Sequence, residues 1–307
     1  MMKKRRQHHV WKHYLEPWTT DRQIWCLQDR KKIFRTNVLN VAVESDFYKL
    51  HRLNADDFAL IDYVIRQSPL QGAETLRGFV RIFNIWHEVK DRLVPGDPRN
   101  AAVLQHVEEQ IVNAEEDYHS AMETAAAPTL RELRNGNADP LEDDDGMMTF
   151  CYFLALQWLR TRAVKRKCLA ALKDRLGVDA SRSWNIISHM FAVNVGWSLF
   201  ARRERNPLRL IANRTELPLL TGDQPAINLR QAQDLGEAPK HLALYYPLSP
   251  SFALFIDDAE APLGLEEVFA SRKNVAMMNG RMVVNSHFQA LGATRECLVP
   301  YLPPRAR

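Results

Sequence analysis

The feature that most constrains the fold is a change of hydrophobic period near Asn54 and its reversal after about residue 205. Before Asn54, Gln23-Ile24-Trp25-Cys26-Leu27-Gln28 and Lys32-Ile33-Phe34-Arg35-Thr36 cluster β-formers around Asp29-Arg30-Lys31, the pattern of a hairpin. From Ala55 to Gln67, Phe58, Ile61, Val64 and Ile65 recur at helical spacing behind Asn54, a good N-cap. Ser68-Pro69 ends that run, and further helices are expected over 74–93, 99–133, 147–177 and 183–203, the last capped by Asp179. Strand-like runs return at 208–213, 217–220, 241–246 and 252–256, followed by an expected helix over 266–291 and a strand over 296–301. The implied class is α+β, with a mixed or antiparallel sheet built from both chain ends and a large helical insertion. Residues 1–54 and 203–307 would build the sheet domain, and 55–202 the insertion.

Composition removes several classes of function. A chain of 307 residues, 46% hydrophobic and 25% charged, can bury a core and is neither disordered nor fibrous. Lys+Arg 41 against Asp+Glu 37 leaves +4, which permits a polyanionic partner without demanding one. Cys26, Cys151, Cys168 and Cys297 form no C-x-x-C, so reduced thiols in a cytoplasmic protein are expected rather than a zinc knuckle or a disulfide framework. The basic start Met1 to His9 is followed by no apolar signal core, and no run of about 18 apolar residues occurs, so no membrane partner is expected. A G-x-S-x-G elbow, a Gly-rich phosphate loop and a dinucleotide fingerprint are all missing, which argues against serine hydrolases and nucleoside-triphosphate enzymes. The acidic loop 139–146 lacks calcium-ligand spacing and reads as solvated.

Asp223 stands where strand, turn and ionisable chemistry meet. Leu219 and Leu220 precede it, Gly222 can take positive φ, and Pro225 stops the ladder, so Asp223 either faces a cleft or caps a turn. Glu44 follows the hairpin and is either a site acid or a helix-start residue. On the expected helix 147–177, Gln157, Arg160, Thr161 and Val164 share one rim by their i, i+3, i+4 and i+7 spacing. Arg162, Lys165, Arg166 and Lys167 come next, and read either as a nucleic-acid-binding run or as a solvated helix end. His8, His9 and His13 lie in the basic start; His87, His106 and His119 read as surface or packing residues.

Four stretches together resemble domain-of-unknown-function family 4238 of bacteria: Gln7-His8 with Tyr14-Leu15, Glu44-Ser45-Asp46-Phe47-Tyr48, Ala155-x-Gln157-x-x-Arg160-Thr161, and Thr221-Gly222-Asp223-x-Pro225. Trp11 stands where the family usually has Pro, and Gly222 where it usually has Ser. The resemblance implies that His8, Glu44, Gln157, Arg160 and Asp223 are the polar positions of the family pattern. Such a set is the equipment of a phosphodiester hydrolase: His8, Glu44 and Asp223 would hold a divalent metal or activate water, and Arg160 would stabilise developing charge. A nuclease or phosphodiesterase with a nucleic-acid partner is therefore one expectation, and a role in phage defence follows by analogy only. The competing expectation is a non-catalytic binding or sensor module in which the same residues form a structural network.

Overall fold

The computed structural model describes residues 2–69, 72–230, 241–259, 263, 265 and 267–304. The N-terminal part contains β1 (Arg6–His8), the short helix α1 (Lys12–Leu15), a hairpin of β2 (Gln23–Gln28) and β3 (Lys32–Asn37), and β4 (Val43–Ser45). In the three-residue loop Asp29-Arg30-Lys31, Asp29 and Arg30 take φ of 50° and 55°, left-handed conformations that hairpin connections use, and the Lys31 N–H donates to the Gln28 carbonyl at 2.9 Å. Helices α2 (Ala55–Gln67), α3 (Ala73–Arg92), α4 (Ala101–Arg134), α5 (Asp144–Leu159), α6 (Arg162–Leu176) and α7 (Trp184–Ala201) follow. Asn54 caps α2 reciprocally with Asp57, as its sequence suggests. The C-terminal part holds β5 (Arg209–Asn213), β6 (Thr221–Gly222), β7 (Ile227–Asn228), β8 (Ala243–Pro247), β9 (Phe252–Asp257), β10 (Val268–Phe269), α8 (Arg272–Asn285) and β11 (Gln289–Gly292).

The α+β class holds, but among the described residues the strands divide among three sheets. One is composite, in the order β3-β2-β11-β6, so the N-terminal hairpin pairs directly with the C-terminal strand β11. A second, β10-β5-β9-β8-β7, is wholly C-terminal and has one parallel pair, β10 with β5. The third is an N-terminal ribbon of β1 and β4.

Local corrections have local causes. The expected helix 147–177 is two helices, because Thr161 is extended (ψ 154°) and its hydroxyl turns back to donate to the Trp158 carbonyl at 3.0 Å. The rim of Gln157, Arg160, Thr161 and Val164 is broken at the same point. Asp179 accepts from the backbone N–H of Ser181 and does not cap α7, whose N-cap is Ser183. Leu217 to Leu220 is not a strand: the Leu219 N–H is taken by the Pro250 carbonyl and the Leu220 N–H by the Asn279 side chain. The helix expected over 266–291 shrinks to α8, with β10 before it and β11 after it; Glu266 itself lies outside the described residues. Residues 299–301 form a 3-10 turn around Pro300, not a strand.

Buried side chains fasten the two chain ends together. Tyr14 is completely buried, stacks on Tyr246 with ring centroids 5.0 Å apart, and its hydroxyl lies 2.7 Å from both Thr221 Oγ1 and the Pro247 carbonyl. Trp18 donates its indole N–H to the Leu219 carbonyl at 2.7 Å; unpaired, that buried donor would cost about 1–3 kcal/mol. Arg134, at the end of α4, donates to the carbonyls of Tyr14 and Leu248 and so ties the helical block to both ends. A separate apolar cluster, including Ile61, Leu76, Phe83, Ile111, Ile187 and Met190, packs α2, α3, α4 and α7 against one another.

Candidate functional site

Arg160 closes α5 and carries its charge into the interior. Its side chain is 3% exposed, and Nη2 donates to Glu123 Oε1 on α4 at 2.6 Å and to Gln157 Oε1 at 3.0 Å. Burial works against the guanidinium charge, but Tyr48, Glu123 and Glu116 push its pKa upward overall, so it remains a cation. Arg160 Nε and Gln157 Nε2 have no hydrogen-bond partner. Arg160 forms one wall of a cavity of about 350 Å³, together with His8, Lys4, Arg6 and Lys12 from the N-terminal segment and Glu116, His119 and Glu123 from α4. His8 places Nε2 3.3 Å from the Leu39 carbonyl, and burial, helped by Lys12, pulls its pKa down to about 4. It is neutral at pH 7.

Glu44 pairs with a different arginine, and Asp223 is held by backbone donors. Glu44 pairs with Arg162, whose guanidinium lies 5.3 Å from the Phe288 ring and also acts on the charge of Asp223. The Asp223 carboxylate accepts from the backbone N–H groups of His287 at 2.7 Å, Phe288 at 2.7 Å and Gln289 at 3.1 Å. Burial pushes that carboxyl above its ordinary range, against those three donors. Asp223 thus ties down the turn that leads from α8 into β11. Gly222 does not have positive φ, so its role differs from the one expected: a Cβ there would come 2.8 Å from the Gln289 carbonyl oxygen, and only glycine lets the two backbones approach.

The expected metal set of His8, Glu44 and Asp223 is therefore not gathered. Asp223 spends its oxygens on backbone donors, Glu44 answers Arg162, and His8 faces a carbonyl. His9 is the histidine buried near Arg162 and Arg160; burial first, then those two cations, pull it down to about 3, and its Nδ1 has no partner. Among the described residues, the group whose ligand atoms all lie within 4.8 Å of one another is Glu115, His119 and His189. Glu115 and His119 are i and i+4 on α4, and His189 reaches them from α7. His189 Nε2 is 3.3 Å and His119 Nε2 3.6 Å from Glu115 Oε1. Burial pushes the Glu115 carboxyl up, but the two imidazoles more than offset this and hold it below the usual range, while burial pulls His119 down to about 3. This trio is not legible in the sequence. The Glu115-x-x-x-His119 spacing was visible, but its partner at 189 is brought in only by the packing of α7.

The basic run divides as well. Arg162 is committed to Glu44, and Lys165 places its ammonium 5.2 Å from the Phe47 ring centroid. Arg166 and Lys167 line a pocket of about 360 Å³ with Arg30 from the hairpin turn, Arg281 from α8 and His287. Among the described residues, no carboxylate lines it. Burial first, then the charges of Arg166 and Arg162, pull the His287 pKa below its ordinary value.

No helix among the described residues is long and apolar enough to cross a membrane. No curated protein and no solved structure matches the chain. The model of a family described as protein of unknown function (DUF4238) matches residues 6–296, and the chain belongs to that family.

Proposed function

We propose that the protein binds the phosphate backbone of a nucleic acid and hydrolyses its phosphodiester bonds. The observation that carries this reading is the acid-free basic pocket: Arg30, Arg166, Lys167 and Arg281 come from three distant parts of the chain to one concavity. Cations that merely solvate a helix end have no reason to converge in this way. A second cavity, lined by Arg160 and His8, would hold the chemistry. There a buried Arg160 would meet phosphoryl oxygens, and His8, neutral at pH 7, would accept or relay a proton. The free cysteines, three of them buried, suit a reducing cytoplasm.

The test is titration of labelled single-stranded and duplex oligonucleotides at several salt concentrations, with cleavage followed in parallel. Contacts from four cations give an expected slope of log K against log salt of about −3 to −4, and Arg166→Gln with Lys167→Gln flattens it by about 1.5. Absence of binding near physiological salt, or a slope that the double variant leaves alone, overturns the proposal. Binding without cleavage favours the second reading, a non-catalytic module, for which the specific support is the complete use of Asp223 by backbone donors.

A further inference from the structure

We propose that Glu115, His119 and His189 form a binding site for one divalent first-row transition-metal ion of the Zn²⁺, Fe²⁺ or Mn²⁺ class. This inference uses none of the residues of the basic pocket, and its test reads metal uptake, not nucleic-acid binding or cleavage. All three side chains are buried, each 4% exposed or less. Their polar atoms lack well-formed hydrogen bonds: Glu115 Oε2, His119 Nε2 and both ring nitrogens of His189 have none, and the imidazoles meet the carboxylate only as loose contacts to Oε1. Each buried polar group left unmatched costs about 1–3 kcal/mol, and native interiors leave few of them. One such atom from each of the three residues, turned on a single spot, marks a place where a ligand, and not the protein, completes the interactions.

The spacing fits a metal. With metal–ligand bonds of about 2.0–2.1 Å, neighbouring donors around a tetrahedral ion lie about 3.3 Å apart. The observed separations from Glu115 Oε1 are 3.3 Å to His189 Nε2 and 3.6 Å to His119 Nε2. Two imidazoles and one carboxylate suit transition metals; Mg²⁺ and Ca²⁺ prefer oxygen donors throughout. Tyr48 packs on His119 at 4.7 Å, and Phe79, Phe83 and Tyr118 pack around His189 at 5.0–5.2 Å, so both rings are held in place. Three protein donors leave coordination positions open, as sites that act on a bound water or substrate do. His119 is also a wall of the Arg160 cavity, which supplies an entry path.

The experiment is metal analysis of the purified full-length protein, followed by calorimetric titration with Zn²⁺ and by the visible absorption of the Co²⁺-loaded protein. The expected result is one equivalent bound, with a Co²⁺ spectrum of nitrogen and oxygen ligation. Glu115→Gln keeps the shape and is expected to weaken binding at least about 100-fold, beyond what loss of an outer-shell partner causes. His13→Gln, which removes an exposed N-terminal histidine, leaves binding unchanged. A folded wild-type protein that takes up none of Zn²⁺, Co²⁺, Mn²⁺ or Fe²⁺ overturns the proposal, as does binding that Glu115→Gln preserves or His13→Gln abolishes. If Glu115→Gln fails to fold, the stoichiometry and spectrum of the wild-type protein decide alone.

Discussion

Replacing Asp223 by Asn separates a structural carboxylate from a purely chemical one. The Asp223 oxygens accept three backbone hydrogen bonds, two on Oδ2 and one on Oδ1. Hydrogen bonds to a charged acceptor contribute about 1.5–3 kcal/mol each, so the gross contribution is several kcal/mol. Asn can retain the two donors of Phe288 and Gln289 on its single oxygen, but its amide then faces the His287 N–H, donor against donor. One charge-assisted bond is lost and one N–H is left unmatched. Part of this returns because a neutral amide does not carry the burial cost that pushes the Asp223 carboxyl up. The net expectation is a loss of about 2–4 kcal/mol, measured by urea denaturation with the slope unchanged. Hydrogen exchange would report the same change as faster exchange at residues 287–289. A variant as stable as the wild type, or more stable, would refute the reasoning and return Asp223 to the role of a strained catalytic acid.

Gly222→Ser drives a Cβ towards the Gln289 carbonyl and the Ser286 side chain, so thermal denaturation is expected to show a loss of about 1–3 kcal/mol. Arg160→Met strands Glu123 in the interior and is expected to cost about 3–5 kcal/mol, whereas adding Glu123→Leu recovers much of it; a denaturation double-mutant cycle without such recovery would rule out the pair. His9 is held neutral by burial down to about pH 3 while the unfolded chain protonates near 6.5, so the unfolded state binds more protons in that window. Stability therefore rises with pH from about 3 to 6.5 and falls on acidification, and urea midpoints across that range should show a shallower slope for His9→Gln.

Secondary structure was readable where local chemistry sufficed. The hairpin turn at Asp29-Arg30 and the Asn54–Asp57 capping box depend on neighbours within a few residues, and both elements lie where their patterns place them. The family resemblance likewise required only short motifs in order, and the family match covers 6–296. What failed depended on distant partners. Thr161 carries no helix-breaking signal of its own; its contacts with Trp158 and Gln224 end α5 before α6 begins. The polar positions of the motifs were visible as residues, but not what they would face. Tertiary packing sent Arg160 and His8 to one cavity and Glu44 to Arg162, and it set three backbone donors on the carboxylate that looked most chemical. It also carried His189 from a helix without Asp, Glu, Lys or Arg to Glu115 and His119, a contact spanning about seventy residues that no local period encodes. Hydrophobic period is a property of a few turns of chain; the meeting of charged and metal-ligating groups is decided by which helices share a core.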